Sequence, residues 1–365
     1  MCVSLSGLLS SIGKRSFRLE DFTGPERWHF LTGAVALSLV TTASGLPLDL
    51  PALGVDLTRV ELALKGSVAT EDPMLTEVAR SLILAGGKRL RPVLTLATAY
   101  LGAMGASDDV VQGAVAVELV HLGSLYHDDV MDEATTRRGV ETANARYGNF
   151  VAIVAGDFCL AVSAQIAASL GVEVSQLLGF TIGELCKGQV RELQYLYKTD
   201  RPEESYFASI DGKTASLMAA ACRTGAITAG LPRQTIDSVT TFGQRVGMVF
   251  QVADDILDII ATDEQLGKPA GNDVVEGVFT LPVLRSLKDP QHGEELLALL
   301  TAGVDRSGID HVRKLVRASC GLEEAIAVGR RFADEAQAAL QGCGDADVVA
   351  QLAPLGHVLL DRLPL

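Results

Sequence analysis

The sequence predicts an all-α protein built as one large helical domain. Alanine and leucine outnumber the β-branched residues typical of strands, and 48% of the 365 residues are apolar, enough to bury a sizeable core. From about residue 46 onward the helical pattern is nearly continuous, with short glycine-rich interruptions. Length alone would also permit two domains, but the unbroken pattern favours one.

Residues 1–45 differ from the rest of the chain. A basic patch around Arg15 is separated by acidic residues from an apolar run, residues 30–40. That run is shorter than the roughly 20 apolar residues of a transmembrane helix, and the intervening acids are untypical of a signal peptide. We interpret residues 1–45 as a leader of uncertain order, or as the result of a start codon placed too early, and residues 46–365 as the folded domain.

The overall charge and the cysteines limit the possible partners and the compartment. The formal net charge is −14, which argues against nucleic acid as a partner because no basic stripe is available to neutralise phosphates. An acidic protein can still bind anionic substrates when metal ions lie between the two. The six cysteines include no CxxC pair, so we expect reduced, mostly buried thiols in a cytoplasmic protein.

Two Asp-Asp-x-x-Asp motifs carry the strongest functional signal, in the stretches HLGSLYHDDVMDE and GMVFQVADDILDI. Asp128 and Asp132 are four residues apart, as are Asp254 and Asp258, so on helices each pair shares one face. Like charges at this spacing repel, and a divalent cation offsets the repulsion. Oxygen ligands in small number suit Mg2+ that keeps waters and shares substrate phosphates. One such motif alone could be a solvated acidic face; two within apolar helices favour a metal site.

Each aspartate pair continues a polar stripe along its predicted helix. Steps of three or four residues place the members of each stripe on one face. The first stripe comprises His121, Ser124, Asp128 and Asp132, and the second comprises Gln244, Gly247, Gln251, Asp254 and Asp258. Two such stripes facing each other predict a metal-lined cleft.

A second group of residues is cationic. The run GGKRLRP contains Lys88 and Arg91 behind two glycines, which allow the backbone to approach a ligand closely. Arg137 and Arg138 follow the first aspartate motif directly. Lysine and arginine bind phosphate oxygens through charge-assisted hydrogen bonds. Surface cations at a helix N-terminus are the alternative interpretation for the first run when it is taken alone.

With these motifs the sequence resembles the trans-isoprenyl diphosphate synthase family. GGKRLRP, HDDVMDEATTRRG, a Lys-Thr pair at 213 and 214, FQVADDILD and GKPAGNDVVEG occur in the family's order from about residue 55 onward. The resemblance implies an all-α isoprenoid synthase fold whose helices surround a deep central cavity, and usually a homodimer. It also implies a Mg2+-dependent prenyltransferase that condenses isopentenyl diphosphate with an allylic diphosphate, with transient membrane contact possible for product release.

The resemblance further implies roles for individual residues. The diphosphate of isopentenyl diphosphate would be held by Lys88, Arg91, His121 and Arg138. Three Mg2+ ions would be bound by Asp128, Asp132 and Asp254, with Asp255 and Asp258 close by. The allylic diphosphate would contact Arg137, Lys213, Gln251 and Lys268, and Thr214 would lie beside the developing cation. Val278 stands where many members have a second lysine, so we expect a weaker grip on the leaving diphosphate.

The residues before Asp128 predict a product longer than twenty carbons. In the family, a bulky aromatic residue five or four positions before the first aspartate stops elongation early, and here those positions are Gly123 and Ser124. We expect further small or aliphatic residues to line the tunnel: Val120, Ala116, Ala161, Ala164 and Ala168. Two alternatives stay open: the small residues serve close helix packing, or an aromatic such as Tyr126 or Phe158 closes the floor.

Three other functions compete with a long-chain synthase. A farnesyl or geranylgeranyl diphosphate synthase would carry the same motifs. A non-catalytic subunit of a heteromeric prenyltransferase tends to lose the aspartates, which are all present here. A terpene cyclase shares the fold and one aspartate motif, but lacks a second such motif together with GGKRLRP. The sequence does not indicate whether the product would serve as a quinone side chain or as a carrier lipid.

Overall fold

The fold is taken from a computed structural model that describes residue 46, residues 48–266 and residues 269–364. The predicted leader, residues 1–45, and Lys268 lie outside the described residues. The described part of the chain forms eighteen α-helices, one π-helix and one antiparallel ribbon of two short strands. The predicted all-α class is therefore confirmed.

The helices of the first half are α1 Leu53–Ser67, α2 Pro73–Leu84, α3 Leu90–Ala99, α4 Asp108–Met131, α5 Ala143–Tyr147, α6 Asn149–Ser169, α7 Val172–Leu193 and α8 Glu203–Ile210. The strands β1 Thr136–Arg137 and β2 Val140–Glu141 lie between α4 and α5. The second half contains the π-helix Asp211–Ala215, α9 Ser216–Thr228, α10 Arg233–Ile260, α11 Asp263–Leu266, α12 Asn272–Val275, α13 Leu281–Ser286, α14 Gly293–Ala302, α15 Ile309–Ala318, α16 Gly321–Ala339, α17 Ala346–Leu352 and α18 Leu355–Asp361.

Two long helices, α4 and α10, carry the aspartate motifs and form the centre of the core. α4 packs mainly against α6, α9 and α3, whereas α10 packs mainly against α9 and α16. α4 begins where the Ser107 hydroxyl accepts a hydrogen bond from the amide of Val110, and Asp108 and Asp109 in its first turn complement the helix dipole. Because these helices are surrounded by others, buried residues occur on most of their faces, which explains their near-continuous apolar sequence.

The contact between α4 and α6 corrects one prediction. Ala161, Ala164 and Ala168 are exposed in the chain, so they do not line a tunnel beside α4. The face of α6 that meets α4 contains instead Gly156 and Ser163, whose hydroxyl donates to the carbonyl of Ala116. α6 is apolar on nearly all sides, and for that reason its sequence pattern did not indicate which face is buried.

Gly123 belongs to the same close contact. A Cβ at Gly123 would lie 3.0 Å from the carbonyl oxygen of Gly156 and 3.0 Å from Cγ of Leu160. Its lack of a side chain therefore allows α4 and α6 to pack closely, which is the first of the two alternatives to a tunnel role. Ser124 lies on another face, one turn before Asp128, and its hydroxyl donates to the carbonyl of its own helix at His121 over 2.8 Å.

Among the described residues, α6 is the one helix with the length and apolar composition of a membrane span, and buried core helices share those properties. Three of the five described cysteines are buried, and all five are free thiols: Cys159, Cys186, Cys222, Cys320 and Cys343.

Candidate functional site

Both aspartate motifs lie at the C-terminal ends of their helices. α4 ends at Met131 with Asp132 as its C-cap residue, and α10 continues only two residues beyond Asp258. Neither helix has a basic residue in its last turn, so the carboxylates add to the negative end of the helix dipole. Burial raises the pKa of Asp128 and of Asp132, although nearby Lys213 acts in the opposite direction. A cation bound at these ends would therefore relieve an unfavourable concentration of negative charge.

The middle aspartate of the first motif, Asp129, has a structural partner. Its side chain is buried and accepts a hydrogen bond from Nε of Arg137, while the amide of Asn144 donates to its carbonyl. Its second carboxylate oxygen is buried and has no hydrogen-bond partner. Arg137, predicted to contact the allylic diphosphate, is thus held beside the motif by Asp129. The two-stranded ribbon between α4 and α5 fixes Arg137 and Arg138 in this position.

A cluster of cations surrounds His121 on α4. Arg91 and Arg138, both predicted to bind isopentenyl diphosphate, lie near this histidine and near the buried Glu118. Burial, followed by the positive charges of Arg91 and Arg138, lowers the pKa of His121 well below its usual value. The histidine is therefore neutral at pH 7. Nε of Arg91 is buried without a hydrogen-bond partner among the described residues.

The glycine loop before α3 positions Arg138. The Arg138 guanidinium donates to the carbonyl of Gly86, and a Cβ at Gly87 would lie 2.7 Å from Nη1 of Arg138. Gly87 also has a φ of +144°, a value that favours glycine. Lys88, the next residue, is exposed. The loop therefore lies against Arg138, which is 50 residues further along the chain than Lys88. A shared ligand for Lys88 and Arg138 stays a prediction.

Arg89, in the middle of GGKRLRP, has a different role from its neighbours. It is 6% exposed, pairs with Glu118 over 3.1 Å and with Glu61, and donates to the carbonyl of Ile83 over 2.8 Å. These contacts leave it no part in ligand binding and join α1, α2 and α4 to the start of α3. Glu61 and Glu118 were not identified from the sequence, because neither belongs to a motif.

The π-helix presents Lys213 and Thr214 to the aspartates. A Cβ at Gly188 of α7 would lie 2.5 Å from the amide nitrogen of Lys213, and a Cβ at Gly247 of α10 would lie 2.5 Å from Cα of Ala215. Two glycines on opposite sides thus allow α7 and α10 to enclose the π-helix. Such helices are rare and often occur at functional sites.

Lys213 forms an ion pair that the sequence did not reveal. Its Nζ lies 2.7 Å from Oε1 of Glu192 on α7. Burial opposes the charge of Lys213, but Glu192, Asp128 and Asp132 together raise its pKa. Glu192 is the last residue but one of α7.

A chain of hydrogen bonds connects the π-helix with the second aspartate motif. The Thr214 hydroxyl donates to Oε1 of Gln251 over 2.8 Å, and Nε2 of Gln251 donates to Oδ1 of Asp255 over 2.9 Å. The hydroxyl of Tyr206 donates to Oδ2 of Asp255 over 2.6 Å. Burial raises the pKa of Asp255 to about 7. Thr214 and Gln251 were predicted to lie in the site together, and the structure brings them into contact.

The outer aspartates of the second motif differ in their surroundings. Asp258 is 2% exposed, and its two carboxylate oxygens accept from the backbone amides of Asn272 over 3.3 Å and Asp273 over 3.2 Å. These bonds attach the start of α12 to the end of α10. Asp254 is exposed. The geometry therefore favours Asp254 as the metal ligand of this motif, and a ligand role for Asp258 stays a prediction.

The donor set fits Mg2+. Within the described ranges, no three His, Cys, Asp or Glu side chains converge into a closed metal cluster. Mg2+ is commonly bound by one or two carboxylates together with waters and substrate phosphates. Asp128, Asp132 and Asp254, which are presented on the ends of two helices, are suited to this open form of binding.

Comparison with known proteins agrees with this arrangement. Residues 72–318 match the family model described as polyprenyl synthetase. The chain is 40% identical over 291 residues to heptaprenyl diphosphate synthase component 2 of Geobacillus stearothermophilus, covering 80% of this chain and 90% of that protein. It is 37% identical over 288 residues to nonaprenyl diphosphate synthase of Mycobacterium tuberculosis, covering 78% of this chain and 86% of that protein.

Among solved structures, the fold is similar to that of a geranylgeranyl pyrophosphate synthase from Corynebacterium glutamicum, complexed with calcium and isoprenyl diphosphate. The TM-score is 0.77 with 37% sequence identity, covering 87% of this chain and 99% of that chain. Helix composition, motif positions and these matches agree with one another. The chain therefore belongs to the polyprenyl synthetase family and is a prenyltransferase.

Proposed function

We propose that this chain is an all-trans polyprenyl diphosphate synthase that extends an allylic diphosphate with isopentenyl diphosphate to products beyond twenty carbons. The observation that carries the proposal is the presence of two different anion sites next to each other on α4. One consists of aspartates with Lys213, and the other consists of Arg91, Arg138 and neutral His121 without an aspartate motif. A site with metal-binding aspartates beside a site with cations alone suits two diphosphates, one that leaves during the reaction and one that stays attached to its substrate.

The cationic site would hold the diphosphate that remains intact. Lys88, Arg91 and Arg138 supply charge-assisted hydrogen bonds to its oxygens. His121 is neutral because burial and the neighbouring arginines lower its pKa, so it contributes a hydrogen bond without adding charge. Isopentenyl diphosphate retains its diphosphate during the reaction, and it needs only to be oriented here.

The aspartate site would hold the diphosphate that leaves. Mg2+ bound by Asp128, Asp132 and Asp254, three ions by analogy with the family, would supply Lewis-acid stabilisation of the departing group. Lys213 would turn from Glu192 toward that diphosphate, and Arg137 lies at the same end of α4. Lys268, outside the described residues, is predicted to contact the same group. Val278 provides no charge there, so fewer cations act on it.

Three bond changes complete one condensation. The allylic C–O bond breaks and leaves an allylic cation, and the double bond of isopentenyl diphosphate attacks it to form the new C–C bond and a second cation. The released diphosphate then takes a proton from the carbon beside that cation, and the electrons of the C–H bond form a new double bond. The central cavity that the family resemblance implies would exclude water that would otherwise quench the cation. Thr214, next to Lys213 and half-enclosed by α10, is the residue that we assign to the side of the cation.

The proposed product length has two supports. The curated relatives compared above are a heptaprenyl and a nonaprenyl diphosphate synthase, and Ser124 is small on the face of α4 that leads to Asp128. A geranylgeranyl diphosphate synthase is the second candidate, because the similar Corynebacterium glutamicum structure bears that name. A small residue at Ser124 would leave room on this face of α4 for a growing apolar chain.

We also propose that the chain forms a homodimer through α6 and α7. Large apolar side chains are exposed on these adjacent helices: Phe150 is 89% exposed, Val154 55%, Val172 74% and Phe180 66%. Burial of such a surface is favourable by about 25 cal/mol per Å2. The relative named component 2 makes a heteromer the alternative, and light scattering on the purified chain distinguishes a dimer from a monomer that awaits a partner.

The prenyltransferase activity itself is tested with the purified chain alone. It is incubated with labelled isopentenyl diphosphate and farnesyl diphosphate, with Mg2+ or with EDTA, and transfer of label into apolar product is measured. We expect transfer that needs both substrates and Mg2+. Absence of transfer by the folded chain alone would support a non-catalytic subunit and contradict the proposal.

A further inference from the structure

We infer that Asp255 and Tyr206 are positioning residues that fix the direction of a hydrogen-bond chain, so that Thr214 presents an oxygen lone pair, and not its proton, to the reacting centre. The inference rests on the proposed function, because it assumes that the Thr214 hydroxyl faces the allylic cation of that reaction. It concerns residues buried behind the site that contact neither substrate nor metal.

The hydrogen-bond chain consists of three bonds in series that connect three helices. It begins at Tyr206 of α8, passes through Asp255 and Gln251 of α10, and ends at Thr214 of the π-helix, with distances of 2.6, 2.9 and 2.8 Å. Tyr206 is 1% exposed and Asp255 is 2% exposed. The buried end of the chain is therefore shielded from water that could replace a partner.

The three hydrogen bonds run in one direction. Both oxygens of Asp255 accept, one from the Tyr206 hydroxyl and the other from Nε2 of Gln251, so the side of the Gln251 amide that faces Asp255 is its NH2 group. The amide oxygen of Gln251 is then turned toward Thr214, and that oxygen can only accept. The single hydroxyl proton of Thr214 is committed to Gln251, and its lone pairs are left for the other side.

The direction of the Thr214 hydroxyl matters because the allylic cation is proposed to form beside this residue. A preorganised oxygen lone pair stabilises developing positive charge, whereas an O–H dipole pointing the same way would oppose it. Asp255 directly follows Asp254, yet both of its oxygens are occupied by Tyr206 and Gln251. We therefore assign Asp255 the role of orienting Gln251, and not that of a metal ligand.

Asp255→Asn releases this constraint while keeping the shape of the side chain. An asparagine has one donor and one acceptor, and the Tyr206 hydroxyl can pair with either, so Gln251 is free to turn over. Thr214→Val removes the group on which the direction acts, with nearly the same volume. If Asp255 acts through Thr214, the two substitutions must be strongly non-additive.

The experiment measures the single-turnover rate of the first condensation, with farnesyl diphosphate and isopentenyl diphosphate at saturating Mg2+. We expect Thr214→Val to lower the rate about 100-fold and Asp255→Asn about tenfold. The double variant should then be about 100-fold slower, not about 1,000-fold. Affinity for isopentenyl diphosphate and the Mg2+ concentration giving half the maximal rate should be unchanged in Asp255→Asn.

Asp211→Asn provides the matched control. Asp211 lies in the same π-helix and accepts from Gln244 of α10 over 2.9 Å, but no bond in that pair reaches Thr214. In the double variant, the rate reductions caused by Asp211→Asn and by Thr214→Val should multiply, as expected for two independent sites. If Asp255→Asn does not accumulate as folded protein, Asp255→Ser replaces it in the same cycle, because a hydroxyl can donate as well as accept and so also leaves Gln251 free to turn over.

Two results would overturn the inference. Multiplicative effects of Asp255→Asn and Thr214→Val would show that Asp255 acts independently of the hydroxyl, for example through its charge. A raised Mg2+ requirement in Asp255→Asn would show that it binds metal. A wild-type chain that transfers no prenyl group would instead contradict the proposed function, and that outcome is distinct from both.

Discussion

The Nζ atom of Lys213 lies 2.7 Å from Oε1 of Glu192, and this pair fixes a cation beside the two aspartates at the end of α4. Because Glu192, Asp128 and Asp132 outweigh the effect of burial, the pKa of Lys213 is raised and the side chain stays charged. The close packing of the π-helix against Gly188 brings the partners together. A permanent charge at this position is what a departing diphosphate requires.

Lys213→Met should lower kcat by about 100- to 1,000-fold, the range for removing one preorganised donor of a charged transition state. The variant keeps the length of the side chain, so packing changes little. Lys187→Met, which removes the exposed partner of Glu184 on α7, is the control and should retain wild-type kcat. Steady-state kinetics measures kcat for both variants. Equal kcat values for Lys213→Met and Lys187→Met would refute the role of Lys213.

Asp128→Asn, Asp132→Asn and Asp254→Asn should each lower turnover by several orders of magnitude with the fold retained. Each removes a carboxylate from a pair that we assign to Mg2+, without changing its shape. Asp109→Asn, at the opposite end of α4, is the control and should stay active. Circular dichroism confirms folding in each case. Near-wild-type turnover of the three variants in Mg2+ would mean that the metal assignment is wrong.

Protein stability should depend on His121 below pH 6.5. Burial and the neighbouring arginines lower its pKa in the folded protein, so the unfolded chain binds a proton that the folded chain does not. The resulting stability is complete above the unfolded pKa and is lost as the pH falls, by about 1.4 kcal/mol per unit. Between pH 7 and pH 5, the unfolding free energy of His121→Gln should therefore fall less than that of the wild type.

Urea unfolding at a series of pH values measures this difference. Parallel pH curves for wild type and His121→Gln would show that His121 is not held neutral by its surroundings.

Ser124→Phe should shorten the products, because an aromatic ring there would fill the face of α4 that leads to Asp128. Ser124→Ala is the control and should leave product length unchanged, since the hydroxyl bonds only to its own helix. Gly123→Phe should instead destabilise the protein, by about 1–3 kcal/mol or more, because its Cβ would already touch Gly156 and Leu160. Chromatography of the dephosphorylated products and thermal unfolding distinguish the two effects.

A chain that begins at Leu46 should fold and stay active. Leu46, Leu48 and Leu50 are all buried, with 3%, 2% and 6% exposure, so the apolar core already includes this segment. Activity and thermal unfolding of the shortened chain are compared with those of the full chain. Loss of folding or of activity would give residues 1–45 a necessary role.

The sequence singled out the charged residues of the candidate site but did not indicate their contacts. The aspartates, Arg91, Arg138 and Lys213 could be identified because charged groups in apolar helices are costly and stand out from the pattern. Contacts between distant segments left no such signal: Glu192 beside Lys213, the amides that occupy Asp258, and the bond from Arg137 to Asp129. The exposed face of α6 was also misjudged, since a helix that is apolar all round has no pattern to orient it.

The most direct test of the account is the size of the product made by the chain alone. Purified protein is incubated with labelled isopentenyl diphosphate, farnesyl diphosphate and Mg2+, and the dephosphorylated products are sized against prenyl alcohol standards. The account predicts products longer than twenty carbons, with shorter species only as intermediates. A distribution that ends at geranylgeraniol or below, or the absence of any product, would contradict it.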